Sequence, residues 1–495
     1  MSQKNAISPT RCEDFPEWFQ QVIKAADLAE HSPVKGCMVI KPWGYAIWER
    51  IQGILDQENK KQGCQNAYFP LFIPLSAMQK EADHVAGFAK ECAVVTHTRL
   101  AEDNDGQLVP AGQLEEPLIV RPTSEVIIGE MFAKWIQSYR DMPLKINQWA
   151  NVVRMEMRTR MFLRTSEFLW HEAHTCHANA EEALTQAKQA HQMYEQVFHR
   201  HLALPTYSGE KSPKERFAGA ESTFTSEGIM QDGKALQLGT AHFLGQHFSK
   251  SANILFQDEE GKQQHPYTCS WGTTTRLIGA MVMVHGDDDG LRLPPGVAPY
   301  QVVILPMQSK DQQEQINQYA TFVQAKIRGI LWQQEPIRVH IDHRPLRGGE
   351  KKWQWVKKGV PIRIIIGGKE LEQQTISVEC RHQSGHKDHW HCDILDQIPE
   401  LLGQIQDTYF RQALNHLDDH RVKITDISQI LDLLKKKSYP RKQMVFDVCL
   451  ESDYEAWLAA NTTATTRCIL GPNVNDKCLI SGEKANARVV VAESY

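Results

Sequence analysis

The segment from Asn147 to His177, NQWANVVRMEMRTRMFLRTSEFLWHEAHTCH, constrains the fold more than any other part of the chain. Its alternating pattern predicts a strand, an arginine-rich loop and a return strand. Side chains two apart share a face of a strand, so Arg154 and Glu156 are predicted to lie together. The return strand should present four more on one face: Phe168, Trp170, Glu172 and His174. A face with a guanidinium, carboxylates and aromatic rings indicates a site for a nucleotide beside a small charged molecule.

The composition limits the class of protein. A chain of 495 residues suffices for about two to four domains. Its net charge of −5 argues against a generally basic nucleic-acid coat, and its eleven scattered cysteines indicate reduced thiols. We see no signal peptide, and the apolar runs are shorter than the ~18 residues of a spanning helix. We therefore expect a soluble, cytoplasmic protein with no membrane contact.

Three regions are predicted along the chain: 1–298, 299–403 and 404–495. The first ends in the turn-rich stretch GDDDGLRLPPGVAP. The second alternates the strands QVVILP, PIRVHID and PIRIIIGG with helices over 312–331 and 350–358, which is typical of an α/β domain. The third contains a Lys-rich stretch and the predicted strand ARVVVAESY.

Arginines are concentrated around the first segment. An arginine beside a carboxylate on a sheet is most often a structural ion pair, but Arg154 is followed by Arg158, Arg160 and Arg164. Guanidinium groups suit phosphate oxygens and carboxylates, because they bind both in a bidentate geometry. Arg276 opens a fully apolar helix, where a buried charge is costly unless it meets an anion. We therefore interpret Arg276 as a phosphate ligand.

Two weaker motifs complete the set. RPTSE, residues 121–125, is typical of a helix N-terminus. Thr123 or Ser124 would be the N-cap residue, and the negative charge of Glu125 would interact favourably with the helix dipole. Thr123 and Glu125 could also accept hydrogen bonds from an ammonium ligand. KALQLGTAHFLGQHFSK places Gln237, Thr240 and His242 among glycines that permit a close backbone approach.

In this order, the segments resemble those of the prolyl-tRNA synthetases, which are class II aminoacyl-tRNA synthetases, in the archaeal and eukaryotic form without the inserted editing domain. GCMVIKPWGYAIWE and NAYFPLFIP resemble the motif 1 helix and strand, with Pro70 at the dimer interface. RPTSE resembles the amino-acid loop, VVRMEMRTRMFLRTSEFLWHEAHT motif 2, and WGTTTRLIGAMVMVHGDDDGL motif 3. DHRPLRGGEKKWQWVKKGVPIRI resembles the anticodon-binding domain.

The resemblance implies an α/β (α+β) fold class. An antiparallel class II catalytic sheet flanked by helices would precede an α/β anticodon-binding domain and a small α+β C-terminal domain. It also implies a homodimeric proline–tRNA ligase. Such an enzyme activates L-proline with ATP and Mg²⁺ to prolyl-adenylate and pyrophosphate, and then transfers proline to the 3′-terminal adenosine of tRNA(Pro).

The resemblance also assigns roles to residues. Arg154 would bridge the proline carboxylate and the α-phosphate, and Arg164 and Arg276 would hold the β- and γ-phosphates. The remaining nucleotide contacts would be Glu156 to the adenine amino group, Phe168 stacked on the ring, and Gln237, Thr240 and Thr274. Thr123 and Glu125 would receive the N–H groups of the proline ammonium. The pyrrolidine ring would be enclosed by Trp170, Glu172, His174, Phe217 and His242.

The sequence departs from the family pattern at several positions. Met155, Met161, His171 and Ala173 replace family residues around motif 2, and Val356 and Gly368 do so in the anticodon domain. Related forms carry a four-cysteine zinc site in the C-terminal domain. Here Cys449 and Cys478 remain, but Tyr454 and Ser481 stand where their partners would be, so we expect no structural zinc.

A second possible metal site lies in ECRHQSGHKDHWHC, which contains Cys380, His382, His386, His389, His391 and Cys392. A site is sterically possible there, because Cys380 and His382 would share one face and His389 and His391 another. The pattern more strongly predicts a β-hairpin with the turn QSGHKD, and we expect no metal.

Two alternatives to a proline–tRNA ligase remain. The first is a catalytically inactive, synthetase-like regulatory or RNA-binding protein, which loss of Arg154, Glu156 or Arg276 would mark; all three are present. The second is the corresponding enzyme for threonine, whose pocket depends on zinc held by one Cys and two His, and no such trio appears at the pocket positions.

Overall fold

The computed structural model describes residues 6–79, 91–383, 385–435, 440–472 and 477–495. None of the helices in these ranges is both long and apolar enough to cross a membrane. The strands are, in chain order, β1 Ala29–His31, β2 Met38–Ile40, β3 Gln65–Asn66, β4 Phe72–Pro74, β5 Ala93–Glu102, β6 Leu108–Val120, β7 Leu144–Val153, β8 Glu167–His177, β9 Tyr207–Glu210, β10 Ser222–Ile229, β11 Ala235–Gly245, β12 Phe256–Gln257, β13 Gln263–Gln264, β14 Tyr267–Thr274, β15 Val302–Pro306, β16 Leu331–Trp332, β17 Glu335–Pro336, β18 Val339–Ile341, β19 Ile362–Ile366, β20 Thr375–Cys380, β21 Asp388–His391, β22 Arg421–Lys423, β23 Gln443–Val448, β24 Thr465–Gly471 and β25 Ala487–Ala492.

The helices lie on both sides of these strands. In the described ranges the α-helices are Phe15–Ala25, Pro42–Lys61, Leu75–Gln79, Glu125–Trp135, Ala180–Arg200, His247–Ser251, Arg276–His285, Gln313–Arg328, Gly348–Lys357, Gly368–Gln373, Ile398–Asp419, Ile427–Lys435 and Tyr454–Asn461. Short 3-10 helices span Tyr139–Asp141 and Cys392–Gln397.

One 11-stranded sheet organises the protein, in the order β22-β23-β25-β24-β9-β10-β11-β14-β8-β7-β3. Its pairings are antiparallel except at the two ends, where β22–β23 and β3–β7 are parallel. The Ala180–Arg200 helix covers the back of β10, β11 and β14. A Cβ on Gly239 of β11 would lie 3.1 Å from ring atoms of Tyr194 and Phe198 of this helix, so the glycine permits close packing there. The class II sheet predicted from the sequence is thus confirmed.

The pair of strands predicted from the opening segment is confirmed as β7 and β8, which are antiparallel with Val153 opposite Glu167. The prediction that Arg154 and Glu156 share a face of a strand is wrong. β7 ends at Val153, and both residues lie in the loop that follows. The backbone N–H of Glu156 donates to the carbonyl of Arg154, at 2.6 Å, so the chain turns there. The loop, rather than strand periodicity, places the two side chains.

Residues 301–395 form a second sheet in the order β18-β15-β19-β20-β21. The first three strands are parallel, and β20 and β21 form an antiparallel hairpin. The strands and the two long helices predicted for this region are confirmed. So is the hairpin predicted within ECRHQSGHKDHWHC, although Ser384 of its turn lies outside the described residues.

The C-terminal region does not form a separate sheet. Its strands β22–β25 extend the central sheet, because β24 pairs with β9 through Ile469 and Glu210. A Cβ on Gly209 would lie 2.1 Å from the carbonyl oxygen of Ile469, so the two backbones approach as closely as only glycine allows. The sequence predicted the α+β composition of this region but not its fusion with the catalytic sheet.

A buried arginine joins the 301–395 region to the central one. Arg381 follows β20 and is 2 % exposed. Its guanidinium forms an ion pair with Asp287 and donates to the carbonyls of Leu291 and Val356, each at 3.1 Å. Burial alone would raise the pKa of Asp287, but the Arg381 charge and hydrogen bonds outweigh it and lower that pKa. The stabilising effect is therefore present above the unfolded-state pKa of an aspartate and lost as the pH falls through the depressed folded-state value.

Replacing this arginine should weaken the contact between the two regions. We expect Arg381→Gln to lower the free energy of unfolding by about 3 kcal/mol, because Asp287, which is only partly exposed, would lose its main counter-charge. Urea unfolding at pH 7 measures the change. The exposed pair Arg421–Asp418 supplies the control, since Arg421→Gln should change stability by less than about 1 kcal/mol. Equal effects of the two variants would show that Arg381 does not hold the regions together.

Candidate active site

A cavity of about 340 Å³ opens on the face of the central sheet opposite the Ala180–Arg200 helix. Strands β8, β10, β11 and β14 form its floor, and the loop after β7 and the start of the Arg276–His285 helix form its walls. Every residue to which the resemblance assigned a ligand contact lines this cavity, whereas Arg158 and Arg160 of the predicted arginine group do not. The lining residues among the predicted ones are Thr123, Glu125, Arg154, Glu156, Arg164, Phe168, Trp170, Glu172, His174, Phe217, Gln237, Thr240, His242, Thr274 and Arg276. The sequence therefore predicted which residues come together, although their roles need a separate test.

Arg154 lies at the centre of the cavity. Its backbone N–H donates to the carbonyl of Ser166 at 2.8 Å, and its Nε donates to the carbonyl of Pro122 at 3.0 Å. The guanidinium carbon lies 5.7 Å from the ring centroid of Phe168 and 5.9 Å from that of Trp170. Burial lowers the pKa of Arg154, and the nearby carboxylates, Glu125 first, oppose that shift. The side chain is thus held in a fixed position with its charge directed at the cavity.

Arg276 lies at the other side of the floor. Its Nε donates to the carbonyl of Leu163 at 3.2 Å and its Nη1 to the carbonyl of Gln237 at 3.3 Å. No described carboxylate lies within 4.0 Å of it as an ion-pair partner. Burial, followed by the charge of Arg154, lowers the pKa of Arg276 to about 10. A partly buried cation next to other cations is an electrostatic site for an anion.

Glu156 and Arg164 are paired across the loop between β7 and β8. Arg164 Nη2 lies 2.7 Å from Glu156 Oε2, and the Arg164 side chain is half exposed. The loop therefore keeps a carboxylate and a half-exposed cation at the mouth of the cavity. A ligand can separate Glu156 from Arg164 with little loss of free energy, because ion pairs near the surface contribute less than about 1 kcal/mol.

The carboxylates form a buried network at the opposite end. Ser124 Oγ donates to Glu172 Oε1, and Gln148 Nε2 donates to the same oxygen at 2.8 Å. The other Glu172 oxygen lies 3.1 Å from His174 Nε2. Burial lowers the pKa of His174, but the hydrogen bond and charge of Glu172 outweigh burial and raise it. Thr123 Oγ1 donates to Glu125 Oε2, so the helix begun at Glu125 is not capped by the Ser124 or Thr123 side chain.

Aromatic rings line the same end of the cavity as Glu125 and Glu172. The rings of Phe217 and His242 lie 4.6 Å apart, centroid to centroid. The two His242 ring nitrogens lie 3.0 Å from Thr223 Oγ1 and 3.1 Å from Thr240 Oγ1. The buried Trp170 Nε1 and Ser270 Oγ have no hydrogen-bond partner among the described residues. Orphaned polar atoms in a cavity indicate that a polar ligand completes it.

The comparisons with known proteins agree with this geometry. Residues 111–285 match the model of the tRNA synthetase class II core domain (G, H, P, S and T), and residues 301–395 match that of the anticodon binding domain. A proline–tRNA ligase of Protochlamydia amoebophila is 50% identical over 99% of both chains, and one of Rhodopirellula baltica is 49% identical over 99% of this chain and 98% of its own. The chain belongs to the prolyl-tRNA synthetase family. The alternatives of an inactive regulatory protein and of a threonine enzyme are set aside.

A solved structure extends the agreement to three dimensions. Prolyl-tRNA synthetase from Cryptosporidium parvum, in complex with halofuginone and AMPPNP, has a TM-score of 0.89 and 34% identity over 100% of this chain and 98% of its own. This chain is therefore a proline–tRNA ligase that uses ATP, with a class II core and an anticodon-binding domain.

Several cavity residues of the synthetase were not predicted from its sequence. One of them, Lys211, is held by the buried Glu227, whose Oε1 accepts from Lys211 Nζ and whose Oε2 accepts from Arg467 Nη2, both at 2.8 Å. Lys211 lines the cavity, as do Glu91, Glu215, Arg216, Thr223 and Ser270. The alternation of Thr223, Thr225 and Glu227 on β10 was a readable signal, because all three share one face.

The departures from the family pattern lie away from the ligand-facing side chains. His171 and Ala173 are on the face of β8 opposite the cavity, where Tyr194 Oη and Asn147 Oδ1 lie 2.8 and 2.9 Å from the His171 ring nitrogens. Burial lowers the pKa of His171 to about 3, so it is a neutral packing residue. Met155 is exposed, and Val356 is buried in the 301–395 region. Neither contributes to the cavity.

The two possible metal sites have different surroundings. Tyr454 Oη accepts from Thr466 Oγ1 at 3.3 Å, and Cys478 Sγ accepts from the backbone N–H of Ser481 at 3.4 Å. In the hairpin region, the described residues bring together only His391, Cys392 and Asp393, with ligand atoms within 4.8 Å of one another. These are three successive residues with exposed ends, and the expectation of no metal at either place stays a prediction.

Proposed function

We propose that the cavity activates L-proline by in-line attack of its carboxylate on the α-phosphate of ATP, taken as its Mg²⁺ complex. The observation that supports this is the convergence of the residues assigned to ATP and to proline on one cavity, with Arg154, Arg164 and Arg276 lining it together with Glu125 and Glu172. The proline carboxylate is ionised at pH 7, so no general base is needed. Catalysis is positioning and charge neutralisation. The prolyl group then passes to the 3′-terminal adenosine of tRNA(Pro).

The cationic end takes the nucleotide. Arg154 bridges the proline carboxylate and the α-phosphate, and Arg276 and Arg164 bind the β- and γ-phosphates. When ATP enters, Glu156 leaves Arg164 to accept from the adenine amino group, and Phe168 stacks on the ring. Gln237, Thr240 and Thr274 make the remaining nucleotide contacts.

The acidic end takes the amino acid. Thr123 and Glu125 accept the two N–H groups of the proline ammonium. Trp170, Glu172, His174, Phe217 and His242 enclose the pyrrolidine ring. Aromatic groups would therefore select the shape of the pyrrolidine ring, and the carboxylate of Glu125 would recognise the charge of the ammonium.

The wider organisation is part of the same proposal. We divide the chain into a catalytic domain 1–298, an anticodon-binding domain 299–403 and a C-terminal domain 404–495. We propose that no editing domain is inserted, and the secondary structure supports this, because β8 to β14 and the Ala180–Arg200 helix follow one another between Arg154 and Arg276 with only short connections. The enzyme acts as a cytoplasmic homodimer. Exposed apolar side chains near Pro70, namely Tyr68, Phe72 and Val94, support a partner surface there.

The ammonium role of Glu125 has a direct test. We expect Glu125→Ala to raise the KM for proline by about 10- to 100-fold, the equivalent of one charged hydrogen bond, and the KM for ATP by less than about threefold. Proline-dependent ATP–pyrophosphate exchange measures both. Glu130→Ala, on the same helix but outside the cavity, is the control and should leave both constants unchanged. An equal rise of the two constants in Glu125→Ala would contradict the ammonium role.

A further inference from the structure

We propose that Arg467, in the C-terminal region, is a positioning residue for proline binding, because it holds in place the cavity wall formed by residues 211–217. This wall carries Phe217, so the inference rests on the proposed role of Phe217 and His242 around the pyrrolidine ring. Arg467 itself does not line the cavity. It would act on the substrate only through the groups that it fixes.

The first link is a buried chain of charges. Arg467 on β24 donates from Nε and Nη2 to Glu227 Oε2, at 3.1 and 2.8 Å. The other Glu227 oxygen accepts from Lys211 Nζ at 2.8 Å and from Thr225 Oγ1 at 2.9 Å. The three charged residues are 7 %, 0 % and 3 % exposed in the order Arg467, Glu227 and Lys211. One carboxylate therefore joins a strand of the C-terminal region to the first residue of the wall.

A second link lies one residue further along. Ser212 Oγ donates to Oε1 of Glu455, on the Tyr454–Asn461 helix, at 2.5 Å. The backbones meet at the same place, because β24 pairs with β9 immediately before the wall begins. The start of the wall is thus fixed to the C-terminal region by an ion pair, a hydrogen bond and a strand pairing.

The far end of the wall is connected to the proposed proline pocket. The backbone N–H of Phe217 donates to Thr223 Oγ1 at 3.2 Å, and that hydroxyl lies 3.0 Å from His242 Nδ1. The Lys211 backbone N–H donates to the carbonyl of the same Thr223, at 2.7 Å. A displacement of Lys211 would therefore be transmitted to Thr223 and from there to the ring pair Phe217–His242.

Glu227 is the group that makes Arg467 necessary. It is fully buried, and burial opposes its ionisation, but the charges of Lys211 and Arg467 together keep its pKa low. Without Arg467, a buried carboxylate oxygen would lose its counter-charge, and such a group moves or takes a proton to relieve the penalty. Either change weakens the ion pair between Glu227 and Lys211, and the wall formed by residues 211–217 would then shift.

The test compares two arginine–carboxylate pairs of the same region. Arg467→Gln should raise the KM for proline about tenfold or more in ATP–pyrophosphate exchange, while the KM for ATP changes less than about twofold. Arg467→Lys, which keeps the charge, should recover at least half of the loss in kcat/KM for proline. Arg488→Gln removes a guanidinium that donates to Asp447 at 2.9 and 3.0 Å on β23, away from the cavity, and should leave the proline KM unchanged.

The other outcomes decide against the inference in distinct ways. Equal effects of Arg467→Gln and Arg488→Gln, or a lowered kcat with both KM values unchanged, would overturn it. If Arg467→Gln does not fold, Glu227→Gln weakens the link between Arg467 and Lys211, and an unchanged proline KM in that variant would overturn the inference. Phe217→Ala tests the proposed pocket separately. If Phe217→Ala leaves the proline KM unchanged, the role proposed for Phe217 around the pyrrolidine ring is wrong. If Phe217→Ala raises that KM but Arg467→Gln does not, only the positioning role of Arg467 is wrong.

Discussion

Arg154→Ala is expected to abolish prolyl-adenylate formation, with a loss of at least about 10³-fold in kcat for ATP–pyrophosphate exchange. Removal of a single preorganised donor to a developing charge already costs about 10²–10³ in other enzymes. Arg154 is assigned contacts to both reacting groups, so its loss should reach the upper end or exceed it. Its backbone hydrogen bond to Ser166 does not need the side chain, and the loop should keep its course.

The matched control for this variant is Arg158→Ala. Arg158 lies in the same loop but is exposed and does not line the cavity. It should retain exchange activity within about threefold of the unmodified enzyme. Circular dichroism and sedimentation of both variants should match those of the unmodified enzyme. Activity of Arg154→Ala comparable with that of Arg158→Ala would show that the role assigned to Arg154 is wrong.

Arg276→Met is expected to reduce kcat/KM for ATP by about 10³-fold and at the same time to make the free enzyme more stable. The guanidinium is partly buried, its described hydrogen bonds go to carbonyl groups, and Arg154 and Arg164 repel it. A methionine of similar length removes this unfavourable charge and keeps the packing. The gain should appear as a midpoint of thermal unfolding raised by about 1–2 °C, corresponding to about 1 kcal/mol.

ATP separates the two effects of this variant. A ligand that binds the native state stabilises it in proportion to its occupancy, so saturating ATP should raise the unfolding midpoint of the unmodified enzyme. The same concentration should have little effect on Arg276→Met. A variant that keeps the stabilisation by ATP, or that is less stable than the parent without it, would contradict the assignment of Arg276 as a phosphate ligand.

The local patterns of the sequence predicted most of the fold. β7, β8, β15, β19 and β25 follow from alternation or from short apolar runs bounded by turns, because strand periodicity is a property of neighbouring residues. The error at Arg154 and Glu156 has a local cause as well. The alternating pattern continues past Val153, but the chain turns where Arg154 pairs with Ser166, and periodicity alone does not mark the last paired residue.

What the sequence could not predict depends on residues far apart in the chain. The pairing of β24 with β9, and the sharing of Glu227 between Lys211 and Arg467, join segments that no periodic pattern connects. The cavity residues were predicted because they lie in the segments that resemble the motifs of the family. Lys211 and Arg467 belong to none of these motifs, so only the folded structure brings them to attention.

The fusion of the C-terminal strands with the central sheet imposes an order on biosynthesis. Until β24 is added, β9 is an edge strand whose free N–H and C=O groups can pair with another chain. β24 follows the whole 301–395 region in the chain, and regions generally fold as they emerge from the ribosome, the N-terminal first. The edge of the catalytic sheet at β9 therefore stays unpaired while the anticodon-binding region is translated. During that interval the unpaired edge of β9 is available to other chains, and we expect the nascent chain to be more prone to aggregation than the finished protein.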